Sequence, residues 1–460
     1  MTPLNRLRVS LPWLALAALF TASPSWAQSL TLTPLKSSAI YSVGEKIGWT
    51  VAVPDGQTVA SVNYTLKKNG LTVYKTDKLD LSSGPASIET SLDEPGSVLL
   101  EIQTPPPPPA PAAEGAPAVT PGGRGRGGRG NRTMAGALVA PQKLSPSSPR
   151  PADFDSWWKA KIEQLHAIPA NVQLTVAESA TPSVDYFKIT MDNINGAHIQ
   201  GQLAKPAAAG KYPALLLLQW AGGGYALPQA RVVDRAAEGW LALNIEPHDI
   251  LFDQPREYYA ELNRGRLANF QAIGQTDRET SYFLAMYLSA YRALDYLTSR
   301  EDWDGRILVV KGESMGGQQS IAMAGLYPGK ITALVAEIPS SIDVTGPEHG
   351  SAAGFPDWAR DAKNKNNPKI LEAAQYFDPM NFAPHVTVPA FIAMGAYDET
   401  SPPVGIWRAI NQMKGPVESL VMNAGHMEVA VNGVNNHTPY KLRAAEWLAS
   451  LVKGDGPPKP

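Results

Sequence analysis

No cysteine occurs anywhere in the 460 residues. That excludes disulfides, thiolate zinc sites and cysteine-ligated iron–sulfur clusters. An excess of charge of one sign is missing too: 40 Lys and Arg against 42 Asp and Glu leave a net charge of −2. Such a chain projects no global field toward nucleic acid or an anionic surface. Long apolar runs are also lacking. LPWLALAALF near the N-terminus falls well short of the roughly 20 residues that a membrane-spanning helix needs. It follows Arg6 and Arg8 and precedes Ser25-Trp26-Ala27, a small-x-small pattern. This is the layout of a secretory signal peptide (1–27) cut near Ala27, with an uncleaved anchor as the alternative. It predicts a periplasmic or secreted bacterial protein, free of the membrane after cleavage.

From 28 to 104 the chain reads as short strands. IGWTVAV, SVNYTLKKN, LTVYKTD and SVLLEIQT are rich in β-branched and aromatic residues, and Pro54-Asp55-Gly56 and Asn69-Gly70 break them up. A small all-β sandwich is expected. It either binds carbohydrate or positions the rest of the chain. Residues 105–135 are Pro-, Gly- and Arg-rich and hold little that can enter a core. Arg124, Arg126, Arg129 and Arg132 resemble an RNA-binding RGG segment, but a solvated linker or insertion is the reading adopted. GALVAPQKL (136–144) reads as one more strand of the sandwich.

The character changes at about residue 151. FDSWWKAKIEQLHAI and RETSYFLAMYLSAYRALDYLTS have helical spacing. ALLLLQW, WLALNI, ILVVKG, ALVAEI and AFIAMG are short apolar runs separated by helix-length segments. That rhythm predicts an α/β fold, a mostly parallel sheet with helices on both faces, spanning 151–453.

One run carries most of the chemistry. Ile307–Val310 reads as a buried strand, Gly312-Glu313-Ser314-Met315-Gly316 fits G-x-S-x-G, and QQSIAMAGLYP reads as a helix. Strand, sharp turn and helix are the context in which this motif is a nucleophile elbow. A Ser nucleophile needs a base, and the base needs an acid to orient it. Asp398 follows AFIAMG, and His426 follows SLVMNAG, giving the chain order Ser, Asp, His. Glu399 is the alternative acid and His437 the fallback base. Asp361 and Asp378 follow no strand-like run, and His166, His198 and His385 read as surface or packing residues. The Met315 N–H and that of Ala221 or Gly222 are the expected oxyanion donors. Trp220, Tyr225 and His248 are the expected substrate-binding residues. No metal or organic cofactor is implied.

Several pieces together carry a family resemblance: PADFDSWW, the Gly-rich loop after ALLLLQW, GESMGG, YFDPMNF, and GAYDETSPP followed by AGHMEV. Residues 151–453 resemble the acetyl xylan esterase/cephalosporin C deacetylase family, carbohydrate esterase family seven, whose fold is the α/β-hydrolase fold. The most specific element is Asp-x-x-x-Pro-Pro at Asp398, Pro402 and Pro403. The resemblance gives Ser314, Asp398 and His426 the nucleophile, acid and base places. It implies a small acyl pocket, an acetylated plant carbohydrate as substrate, and raises the question of a homo-oligomer. Some positions depart from the family. Gln219-Trp220-Ala221 stands for His-Gly-Tyr, EPHD replaces an Arg-Gly-Gln motif, and Met315 stands where Gln is usual. The expected function is a secreted serine carboxylesterase acting through an acetyl-enzyme. The rivals are another hydrolase activity, such as a peptidase or an esterase of larger acids, and a non-catalytic carbohydrate-binding or cell-surface protein on the same scaffold.

Overall fold

The computed structural model describes residues 30–103, 132–431 and 434–459. The signal-peptide reading of 1–27 and most of the low-complexity segment lie outside these residues. Among the described residues, no helix is long and apolar enough to cross a membrane.

The N-terminal strands form two sheets. Strands β1 (Thr31–Pro34), β3 (Ile47–Ala52) and β6 (Ala86–Thr90) make one. The other has the order β2-β8-β7-β4-β5, from β2 (Ile40–Tyr41), β4 (Ser61–Lys68), β5 (Thr72–Asp80), β7 (Gly96–Gln103) and β8 (Arg132–Val139). They share a core that includes Trp49, Val51, Ile88, Tyr64, Leu66 and Leu100. Strand β8 starts at Arg132, earlier than the pattern predicts, so residues 132–135 belong to the sheet and not to the low-complexity segment. The reason is pairing: Arg132 lies opposite Gln103 in an antiparallel ladder with β7, and its guanidinium reaches Glu101. Strands β7 and β8, which flank the undescribed residues 104–131, are thus neighbours in one sheet.

The second sheet has nine strands: β9 (Gln173–Ala177), β10 (Val184–Asp192), β11 (His198–Pro206), β12 (Tyr212–Leu218), β13 (Leu241–Ile245), β14 (Trp303–Glu313), β15 (Ala333–Glu337), β16 (Ala390–Gly395) and β17 (Val417–Met422). Their spatial order is β17-β16-β15-β14-β12-β13-β11-β10-β9. From β13 to β17 the neighbours are parallel, while β9, β10 and β11 add an antiparallel edge. Side chains alternate across this sheet, as the period of two requires. Leu216, Leu218, Leu308, Val310 and Ile392 join one core, with the helices Phe154–His166, Tyr282–Ser299 and Met315–Leu326. Leu215, Leu217, Val309, Val335 and Phe391 join the other, with Ala230–Ala237 and Thr438–Leu451. Strands buried on both faces explain why these runs are apolar throughout. Parallel strands also bring their C-terminal ends, and the loops that follow them, to one edge.

The two parts touch through β8. Ala135, Ala137 and Val139 face the N-terminal core, while Leu138 enters the larger one. Gly136 lies against the loop after β16. A Cβ there would sit 1.8 Å from the Ala396 carbonyl oxygen, so only glycine fits.

Candidate active site

Ser314 sits between β14 and the helix Met315–Leu326 with φ 54° and ψ −116°. A non-glycine residue seldom adopts that conformation, and it persists because its surroundings fix it. The Ser314 N–H donates to the Glu337 carbonyl at 2.9 Å, and its own carbonyl accepts from Gln318 and Ser340. Gly312 and Gly316 make the turn sterically feasible: a Cβ on Gly312 would lie 2.2 Å from the Gly316 backbone. One on Gly316 would lie 2.2 Å from the Leu218 carbonyl.

The expected Ser, His and Asp come together. Ser314 Oγ lies 3.0 Å from His426 Nε2, and His426 Nδ1 lies 2.8 Å from Asp398 Oδ2. Asp398 Oδ1 accepts from the Thr400 and Ser401 N–H groups at 2.7 and 2.8 Å. With one oxygen held by two backbone donors, the other is left to face the imidazole. A hydroxyl, an imidazole and a carboxylate in line can pass the hydroxyl proton to nitrogen while the carboxylate stabilises the resulting cation.

The pair opens into a pocket of about 740 Å³. Trp220, Ala221, Gly222, Phe355, Thr400 and His426 line it. Among the described residues, neither the Ala221 nor the Gly222 N–H meets a protein acceptor. Met315 N–H heads the helix behind Ser314, where main-chain donors have no intrahelical partner. These donors and the positive end of the helix suit an anionic oxygen beside Ser314.

Two expected substrate residues do not reach this pocket. The Tyr225 ring stacks on Trp220 with centroids 4.8 Å apart, and its hydroxyl donates to the Trp220 carbonyl at 2.7 Å. His248 is buried behind the loop. Its Nε2 contacts the Gly222 carbonyl, and its Nδ1 lies 2.8 Å from the Tyr282 hydroxyl. Burial pulls the imidazole down to about 4, so it is neutral. Nε2–H then donates to Gly222, and Nδ1 accepts from Tyr282. Both residues shape the Gly-rich loop from behind. Trp220 does line the pocket, yet Arg231 lies 4.2 Å from its ring and Tyr225 stacks on it. An edge rather than an open face is offered to a ligand.

The competing candidates lie elsewhere. Glu399 pairs with Arg132 at 2.9 Å. Asp378 caps the turn Pro379–Phe382 and accepts from the Asp343, Val344 and Met380 N–H groups. Asp361 pairs with Lys365, His166 with Asp295 and His385 with Asp155, while His198 lies between Asp192 and Asp249. His437 is fully buried against Glu337 and makes no contact with Ser314. Sequence reasoning missed the walls contributed by Arg231, Asn263, Phe355 and Glu428. Only Thr400 carried a signal, as part of the Asp-x-x-x-Pro-Pro stretch.

Beneath the Gly-rich loop, Glu246 follows β13 and is 1% exposed, and neither carboxyl oxygen has a partner among the described residues. Burial pushes its carboxyl up to about 9, from an ordinary 4.5. A carboxyl raised in the folded state binds a proton there that the unfolded chain has released. Its contribution to stability is therefore intact below pH 4.5 and is lost as pH rises toward 9. At neutral pH the loss amounts to about 3 kcal/mol. Glu246→Gln should accordingly gain on the parent as pH rises, with equal stabilities near pH 4.5. Denaturant melts of both proteins between pH 5 and 9 check this; parallel curves would contradict it.

The fold and the strand–turn–helix seat of Ser314 define an α/β-hydrolase. Solved structures agree on the fold. An acetyl xylan esterase from Paenibacillus sp. R4 superposes with a TM-score of 0.57 at 21% identity, covering 67% of this chain and 98% of that one. Acetyl xylan esterase 1 from Thermoanaerobacterium sp. JW/SL YS485 gives 0.56 at 18%, covering 68% and 97%. More specifically, the chain belongs to the acetyl xylan esterase (AXE1) family, whose model matches residues 137–445. The acetyl esterase Axe7A of Xylanibacter ruminicola is 33% identical over 289 residues. That match covers 61% of this chain, which spans 64% of the relative's length.

Proposed function

We propose that this chain is an exported serine carboxylesterase that removes acetyl groups from carbohydrate. The observation that carries the reading is the Ser314–His426–Asp398 chain of hydrogen bonds at the foot of an open pocket. Family membership and the name of the relative support acetyl as the acyl group. The leader-like residues 1–27 support export.

In this reading Ser314 Oγ attacks the acetyl carbonyl as its proton moves to His426 Nε2. The imidazolium is held by Asp398 through Nδ1–H. Negative charge builds on the former carbonyl oxygen, and the Met315 N–H with that of Ala221 or Gly222 meets it. Collapse of the intermediate expels the sugar alkoxide, which takes the proton from Nε2. Water then attacks the acetyl-enzyme, gives a proton to His426, and acetate leaves as Oγ recovers that proton. Nothing in these steps draws on a metal. The pocket wall suits a sugar leaving group, since Arg231, Asn263 and Glu428 offer donors and acceptors for hydroxyl groups.

Acetate release from acetylated xylan, set beside turnover of a series of aryl esters, tests the reading. The family resemblance implies a small acyl pocket, and Trp220 and Phe355 crowd its walls. Acetyl esters should turn over at least about tenfold faster than octanoyl esters, as expected where one methylene is worth about 1 kcal/mol or more in a fitted pocket. Equal or faster octanoyl turnover would favour a lipase-like enzyme.

A further inference from the structure

A second histidine–carboxylate pair lies directly behind the first. His437 and Glu337 are both buried, and His437 Nδ1 lies 2.8 Å from Glu337 Oε1. The other ring nitrogen, Nε2, lies 3.2 Å from the carbonyl oxygen of Gly425. Gly425 immediately precedes His426. Glu337 ends β15, and its own carbonyl oxygen accepts the Ser314 N–H. One pair of side chains thus ties the loop that carries the base to the strand end that seats the nucleophile. We propose that His437, paired with Glu337, is a positioning residue that holds His426 Nε2 against Ser314 Oγ. The proposal rests on the reading in which Ser314 and His426 carry the chemistry.

The geometry also dictates a protonation state. Both ring nitrogens face acceptors, a carboxylate and a carbonyl, and a neutral imidazole has a single N–H. Both hydrogen bonds therefore stand together only while the pair holds one proton more than a neutral imidazole beside a carboxylate. Burial opposes charge on the ring and also raises the Glu337 carboxyl, but the hydrogen bond and charge of Glu337 outweigh it, so His437 holds a proton more tightly than a free imidazole. Other charges face the pair. Lys311 and Glu313 approach from β14, Glu428 from the base loop, and Arg231 and Arg235 from the helix opposite. On the helix that follows His437, Lys441 is engaged by Glu428, and the buried Tyr440 hydroxyl also faces Glu337, its ionisation pushed well up by burial. As pH rises and the extra proton leaves, one hydrogen bond loses its hydrogen, and the Gly425–His426 loop is released from the β15 end.

Four measurements test this. In the 15N-histidine spectrum of the whole protein, His437 should show Nε2 protonated at neutral pH, with Nδ1 either protonated or accepting from a protonated Glu337. A neutral ring beside an ionised Glu337 would overturn the proposal. In kinetics, His437→Asn keeps a donor toward Glu337 but loses the one toward Gly425. Its kcat should fall about ten- to a hundredfold with KM within about twofold, as for a group displaced by about 1 Å. His437→Gln, whose amide reaches the Nε2 position, should recover most of that kcat. A folded His437→Asn with the parent kcat, or equal losses in both variants, would refute a positioning role. In Glu337→Gln the amide N–H donates to Nδ1 of a neutral ring, so no extra proton is needed. Its pH profile, scaled to its own maximum, should lack the alkaline loss of the parent. An alkaline loss at the same pH in both would overturn the proposal. Labelling by a fluorophosphonate separates the two levels: an unlabelled parent sinks the serine-esterase reading, whereas equal labelling rates in parent and His437→Asn sink only the role of His437.

Discussion

Ser314→Ala loses ester hydrolysis by on the order of 10⁴-fold or more, while its melting behaviour stays close to that of the parent. The size follows from the proposed chemistry: in that mechanism no acetyl-enzyme can form without Oγ, and the oxyanion donors and binding pocket alone would supply only a residual rate. The intact fold follows from the site. The main chain at Ser314 is held by Glu337, Gln318 and Ser340 through its N–H and carbonyl, and an alanine keeps all three. The strained φ of 54° is shared by both residues, so the substitution adds no backbone cost. Turnover of an aryl acetate, with circular dichroism as the control, decides the matter. A variant keeping more than about a tenth of the parent turnover would mean that Ser314 is not the nucleophile.

The second large effect separates two neighbouring acids. Asp398→Asn should lower turnover by about 10⁴-fold. The backbone donors at Thr400 and Ser401 keep one oxygen of Asp398 occupied, so the amide nitrogen of an asparagine would point at His426 Nδ1. That donor reverses the hydrogen bond, favours the tautomer with its proton on Nε2, and leaves the nitrogen facing Ser314 unable to accept a proton. Glu399→Gln should keep turnover within roughly threefold, because the ion pair it weakens, with Arg132, is partly exposed and worth about 1 kcal/mol or less. Measuring both variants on one aryl acetate ranks them. The opposite order would transfer the acid role to Glu399.

What the sequence made legible follows from the distance over which each signal acts. The strand ILVV, the glycines around Ser314 and the helix after it are neighbours in the chain, so the elbow could be read from local pattern alone. Asp398 and His426 were legible because each directly follows a short apolar run, and parallel strands deliver such positions to one edge. Tyr225 and His248 sit at the same edge, yet the structure turns them behind the Gly-rich loop. Nothing local to either residue states which way its side chain faces. His437 misleads for the same reason. Its place late in the chain suits a base, but its ring is held by Glu337, 100 residues away in sequence, and turned from Ser314 toward the Gly425 carbonyl. The pocket walls from Arg231 and Phe355 likewise arise from packing between distant segments.

Strand β8 shows that ancestry and architecture divide this chain at different places. The family match begins at residue 137, inside a strand that runs from Arg132 to Val139. Alternate residues of that strand complete two hydrophobic cores, and its glycine presses on the turn that leads to Asp398. An enzyme excised at the family boundary would lose the start of β8 and its ladder with β7, and would expose Ala137 and Val139 to water. The N-terminal sheets are thus a wall of the catalytic unit and not a detachable appendage.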